Sequence, residues 1–217
     1  MIDKHLLRAG LTVVAAAFAC SHHPDAPAPV ATAPLPTASL AGQSIALLPL
    51  TLVAAEDSLR WNAALADRGL TLQRSDSILV TLLRARAPEV TWVGPDALRH
   101  AARQAPGLAT DPDHMGTAIM RVPKLEIVPD PLHSQLRTLA ALAGVSEYAL
   151  IPAALIYLRV RDAGPGARAG DGRAELTLVL ADVRTGRVAW RTVARGEGGD
   201  PWTALTAAVK VLTPGLP

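Results

Sequence analysis

The sequence predicts an α/β domain: a mixed sheet of about five strands with helices packed on it, ending in an antiparallel meander and a closing helix. Three observations carry this prediction. Residues 44–53 (SIALLPLTLV) form a continuous apolar run, the pattern of a strand buried on both faces. Three segments open with a small or acidic residue followed by proline, a helix-start signature: Gly94-Pro95, Asp130-Pro131 and Asp200-Pro201. Between the last two, residues 148–161 and 174–182 alternate apolar and polar positions, as half-buried strands do.

Taken in order, the run at 44–53 is the first strand. A helix follows over 76–87, with Ile78, Leu79, Leu82 and Leu83 at helical spacing and Ser75/Asp76 as its cap. Residues 90–93 make a short strand. The helix opened by Gly94-Pro95 ends at Pro106-Gly107, and the one opened by Asp130-Pro131 stops at Gly144 after a stripe of Leu132, Leu136, Leu139 and Ala143. In the meander, Leu150, Ala154, Ile156, Leu158 and Val160 share one face of the first strand, and Leu176, Leu178 and Leu180 one face of the second. Pro152 within a strand requires an edge or a bulge. Arg184-Thr185-Gly186 reads as a tight hairpin turn, after which Val188, Trp190 and Thr192 continue the buried face. The glycine-rich stretch 164–172 opens no helix and lacks a phosphate loop's Lys-Ser/Thr, so it reads as a hairpin loop. Asp200-Pro201 starts the closing helix, with Leu205, Ala208, Val209 and Leu212 inward.

The N-terminus carries a different signal. Lys4 and Arg8 precede residues 9–19, an uncharged run of about 11 residues, too short for the ~20 that span a bilayer. That run reads as a signal peptide over 1–19. The junction Ala17-Phe18-Ala19 precedes Cys20, the one cysteine of the chain, and resembles a lipobox, which implies cleavage before Cys20 and lipid on its sulfur. Ser21 follows the cysteine where Asp would favour inner-membrane retention, so the resemblance implies an outer-membrane anchor with the domain in the periplasm. Residues 20–41, rich in proline and alanine, read as a tether reaching about 60 Å if polyproline-like. The α/β domain is then assigned to 42–217, with 106–129 as an unusually long Pro-rich loop that is either a binding loop or without order.

Composition narrows the function. The net charge is +2 over the chain, and removing Asp3, Lys4 and Arg8 with residues 1–19 leaves +1, which speaks against a nucleic-acid binder. A single cysteine permits no internal disulfide. Asp111, Asp113 and His114 are the nearest approach to a metal cluster, but they lie in a Pro-rich segment where Asp forms turns, and no zinc or calcium spacing occurs. His22 and His23 lack further ligands, and His100 and His133 are placed on polar helix faces. Gly144-Val145-Ser146-Glu147-Tyr148 lacks the second glycine of a nucleophile elbow. No catalytic residue, cofactor or metal site is assigned. Arg187, Arg191 and Arg195, at every fourth position of one strand, share an outward face and form the candidate partner surface, with Arg159 and Arg161 near and Glu175 and Glu197 as balancing charges.

Three segments together resemble a known group. They are the opening IALLPL with Pro49, Gly144 with Tyr148 in GVSEYALIP, and Asp182, Thr185, Gly186 and Trp190 in LVLADVRTGRVAW. The pattern is similar to that of curli-secretion-channel (CsgG-like) lipoproteins, the TolB N-terminal domain and the lipoprotein activators of penicillin-binding proteins. Pro152 and the 106–129 segment depart from it. The resemblance implies a non-catalytic envelope lipoprotein that binds another envelope protein as adapter or regulator. Two alternatives stay open: a self-assembling ring or channel component, and a hydrolase with an unrecognised site.

Overall fold

The computed structural model describes residues 33–145, 147–160 and 172–213. The signal peptide, Cys20, His22, His23, Arg161 and most of the glycine-rich stretch lie outside the described residues. The elements are α1 (Thr37–Leu40), β1 (Ser44–Leu47), β2 (Val53–Ala55), α2 (Asn62–Leu65), α3 (Arg68–Arg86), β3 (Thr91–Val93), α4 (Pro95–Gln104), α5 (Leu132–Leu142), β4 (Tyr148–Arg159), β5 (Gly172–Asp182), β6 (Val188–Gly198) and α6 (Pro201–Val211). Short 3-10 turns occur at Asp57–Leu59, Pro112–His114 and Thr117–Arg121.

One six-stranded mixed sheet runs in the order β3-β1-β4-β5-β6, with β2 also paired to β4. β1, β2 and β3 run parallel to their neighbours, and β4, β5 and β6 form the antiparallel meander. Each face carries its own core. On one side Leu79 and Leu83 of α3 and Leu205 and Val209 of α6 pack on Ile45, Leu150, Leu176 and Leu178. On the other, Leu98 of α4 and Leu136 and Leu139 of α5 pack on Ala46, Ala149, Ile151 and Val179. β4, expected to be half-buried from its alternation, is buried on both faces over most of its length.

The apolar run at 44–53 is two strands rather than one. Its middle leaves the sheet because other groups take over its backbone: Asp76 Oδ1 accepts from Leu50 N–H (2.9 Å) and Arg68 donates to the Thr51 carbonyl (2.6 Å). Thr51 and Thr117 share a hydroxyl hydrogen bond of 2.7 Å. The gap explains Pro152. The Leu150 carbonyl accepts from Leu48 and the Leu155 N–H donates to Leu52, so Pro152 falls between these bonds, where no ladder donor is required. β4 is central, not an edge; the irregularity is a bulge between Pro152 and Ala154. That bulge reverses the alternation, so Leu155 and Tyr157 join Leu150 on one face, and the partly exposed Ile156 and Leu158 do not.

A second bulge, opposite Leu180/Ala181, has the same effect on β6. Trp190 packs on the α3/α6 face, whereas Val188 packs on the other. The helix starts at Pro95 and Pro201 stand as expected; Asp200 caps α6 by accepting from Trp202 N–H and Thr203 N–H. The helix expected over 76–87 begins earlier, at Arg68, capped by Asp67, which leaves Ser75 and Asp76 buried inside it. Residues 33–41, assigned to the tether, dock on the domain instead. Ala33 N–H donates to Thr192 Oγ1 (2.8 Å), Leu35 N–H to the Leu212 carbonyl (2.8 Å), and Leu35 and Leu40 are buried.

Candidate functional site

The sheet and its helices bring charged groups together at two places. The first is the crevice beyond the carboxyl ends of β1 and β3, where open α/β sheets commonly bind ligands. Gly94 allows β3 to turn closely into α4; a Cβ there would stand 3.2 Å from Val80. α4 then projects Arg99 toward α3. Its guanidinium meets Asp76 Oδ2 at 2.7 Å, Asp113 through two bonds of 2.7 and 2.8 Å, and Asp96 at 3.0 Å. Asp76 is nearly sequestered, its side chain 5% exposed.

Burial pushes the Asp76 carboxyl up to about 6, against the downward pull of the Leu50 amide and of Arg99. Arg99 is held well above the usual arginine range, first by its hydrogen bonds to Asp113. The two shifts bear oppositely on the Asp76–Arg99 pair. Desolvation governs the deeply buried Asp76, while the more exposed Asp113 secures the Arg99 charge. Chemically, this cluster is a junction. One guanidinium ties α3, α4 and the 106–129 segment together, and one carboxylate reaches on to the chain after β1. A cleft of about 280 Å³ lies beside it, lined by Gln73, Ser77, Thr81 and Arg84 among others.

The second place is the 106–129 segment itself. It is ordered: Pro112, Met115, Thr117, Met120 and Val128 are buried, and Ile127 forms a β-bridge with Arg187 at the edge of β6. Arg191 donates to the carbonyls of Met120 and Leu125 and so closes the turn between them. Among the described residues no carboxylate answers this guanidinium, and its burial lowers its pKa.

The three arginines expected on one outward face are thus divided. Arg191 is partly buried in the 119–125 turn. Arg195 lies on the same face and bonds Glu175 at 2.9 Å. Arg187 is exposed, and the β6 bulge puts it out of phase with the other two. Glu197 pairs with Arg173 at 2.9 Å, and Arg159 is exposed. Of the DPDH residues, Asp113 turns to Arg99, while Asp111 accepts from Asp113 N–H and stands 3.3 Å from His114. Among the described residues no three His, Cys, Asp or Glu side chains gather where they would hold a metal ion. His100 is exposed, but His133 is not simply solvated: its Nε2 lies 3.1 Å from the Val183 carbonyl, under Gly186.

The sequence reading missed the Asp76–Arg99 junction. One signal was available: a carboxylate flanked by Leu72 and Leu79 at helical spacing is a buried charge in need of a partner. Its partner, on a different helix, had no local signature.

No protein-family model and no curated protein matches this sequence. Among solved structures the chain is similar to the LpoB C-terminal domain from Salmonella enterica, with 19% identity over 73% of this chain and 83% of that one, at a TM-score of 0.36. It is also similar to E. coli LpoB, at 18% identity over 88% and 84% with a TM-score of 0.37. A PelC dodecamer from Paraburkholderia phytofirmans gives 15% identity over 85% and 94%, again with a TM-score of 0.37. None of the three is a curli-channel or TolB structure.

Proposed function

We propose that the protein is a lipid-anchored component of the cell envelope, cut before Cys20 and lipidated there, whose α/β domain binds another envelope protein as adapter or regulator without turnover. The observation that carries this reading is the placement of the chain's one cysteine directly after an uncharged run of export length. By its resemblance to lipoprotein sorting signals, Ser21 next to that cysteine favours an outer-membrane anchor with the domain in the periplasm. The domain supports the non-catalytic part through how the charges in its crevice are used. Asp76, Asp113 and Arg99 satisfy one another in the crevice where a substrate would be expected, and the remaining oxygen of Asp76 holds the Leu50 amide. No helix among the described residues is long and apolar enough to cross a membrane.

Docking of residues 33–41 shortens the tether. About 13 residues separate Cys20 from Ala33, a contour of at most about 45 Å. The test is affinity purification after in-cell crosslinking, comparing wild type with Cys20→Ser. Capture of a defined envelope protein by the wild type and its loss in the variant is the expected result. Capture only of further copies of this chain in a large assembly, or identical partners for both forms, overturns the reading.

A further inference from the structure

The turn closed by Arg191 presents an apolar surface left exposed among the described residues. Ile119, Val122 and Ile127 stand 48%, 48% and 58% exposed, large aliphatic side chains gathered within nine residues. Interleaved with them are Arg121 and Lys124, and Arg187 is bridged to Ile127. All three cations are exposed, and none pairs with an acid among the described residues. Glu126 is the one acid within residues 119–127, which leaves that stretch with a positive excess. The grip of Arg191 on the Met120 and Leu125 carbonyls fixes the loop on β6. β6 is the edge strand of the sheet, and the chain's N-terminal part joins it through Ala33 on Thr192, which faces the α3/α6 side while Arg191 faces the other.

We propose that residues 119–127 with Arg187 form a membrane-contact surface for anionic phospholipid. Ile119, Val122 and Ile127 enter the headgroup boundary, and Arg121, Lys124 and Arg187 contact the phosphates. Charge complementarity and the tether's departure from the same sheet edge favour this occupant over a protein partner. Interfacial segments combine aliphatic anchors with cations in this way, and each cation near an anionic surface raises binding about five-fold. The proposal rests on the envelope reading for its setting. Its assay does not use the lipid on Cys20, so either can fail alone.

The test is partition of the chain from Ser21 onward, which contains every residue of both cores, onto vesicles. Vesicles of phosphatidylcholine with about 30% phosphatidylglycerol are compared with phosphatidylcholine alone. Wild type is expected to favour the anionic vesicles about 100-fold and to lose that preference at high salt. The triple variant R121S/K124S/R187S falls by about 100-fold on anionic vesicles, and V122D/I127D loses binding to both compositions. These side chains are exposed, so unchanged melting temperatures establish that the variants fold. Equal partition onto the two vesicles, or variants that bind like wild type, overturns the proposal. Absence of vesicle binding together with in-cell capture of a protein by a photo-crosslinker at Val122 assigns the surface to a protein instead.

Discussion

Replacing Gly196 by alanine tests the packing of α6 on the sheet. Gly196 lies on β6 opposite Ala174, and a Cβ there would stand 2.0 Å from Ala208 N and 2.5 Å from the Ala204 carbonyl oxygen. Those atoms are helix backbone and cannot swing aside. Restoring an ordinary contact of about 3.5 Å requires α6 to retreat by about 1.5 Å. α6 and its C-terminal cap bury Leu205, Val209 and Leu212 in the core. Full burial of such side chains contributes about 2 kcal/mol each, and a gap of up to about 1 Å already forfeits a quarter to a half of the contact. The expected loss is about 2–3 kcal/mol, less some tenths recovered because alanine restricts the unfolded chain. For a domain of this size that lowers Tm by about 5–10 °C. Urea denaturation followed by far-UV circular dichroism measures it as a lower midpoint with an unchanged m-value. Gly116→Ala is the control, since its φ is −73° and nothing stands within 4 Å of its missing Cβ. A Gly196→Ala protein within about 0.5 kcal/mol of wild type would refute the packing argument.

Other predictions concern the charged junctions. Asp76 has a folded-state pKa of about 6 against an unfolded value of 3.8, so the folded state holds its proton longer and stability falls as pH rises from about 4 to about 6. The full contribution is about 3 kcal/mol, and Asp76→Asn flattens that part of the profile; stability rising through the same window in wild type would show that the ion pair outweighs burial. Arg191→Met frees the Met120 and Leu125 carbonyls, costs about 2 kcal/mol, and speeds tryptic cleavage after Arg121 or Lys124 by about 10-fold or more. Asp200→Ala removes the α6 cap and costs about 1 kcal/mol in thermal unfolding, with no change at the Arg99 junction.

Features legible in the sequence are those whose causes are local. The Gly94-Pro95 and Asp200-Pro201 helix starts and the hairpin at Gly186, whose φ of 73° suits glycine, each depend on a few adjacent residues. Leu176, Leu178 and Leu180 alternate without interruption and face one core as their spacing requires. What was illegible depends on partners distant in sequence. The 44–53 run breaks because Asp76, Arg68 and Thr117 claim its backbone, and none of these is its neighbour. The bulges in β4 and β6 each insert one residue, and one residue is enough to move Leu158 or Arg187 to the other face. Proline count suggested an open segment at 33–41 and left the order of 106–129 undecided. Their structure comes from Leu35, Leu40, Met115 and Met120 finding places in cores built by residues far along the chain.

The central claim is that Cys20 anchors this domain to a membrane. It is tested most directly by the mass of the N-terminal peptide of the protein purified from membranes of a bacterium that exports it. The expected peptide begins at Cys20, its mass includes a diacylglyceryl group, and it is absent from a Cys20→Ser protein. A peptide beginning at Met1, or one that retains an unmodified Cys20, would contradict it.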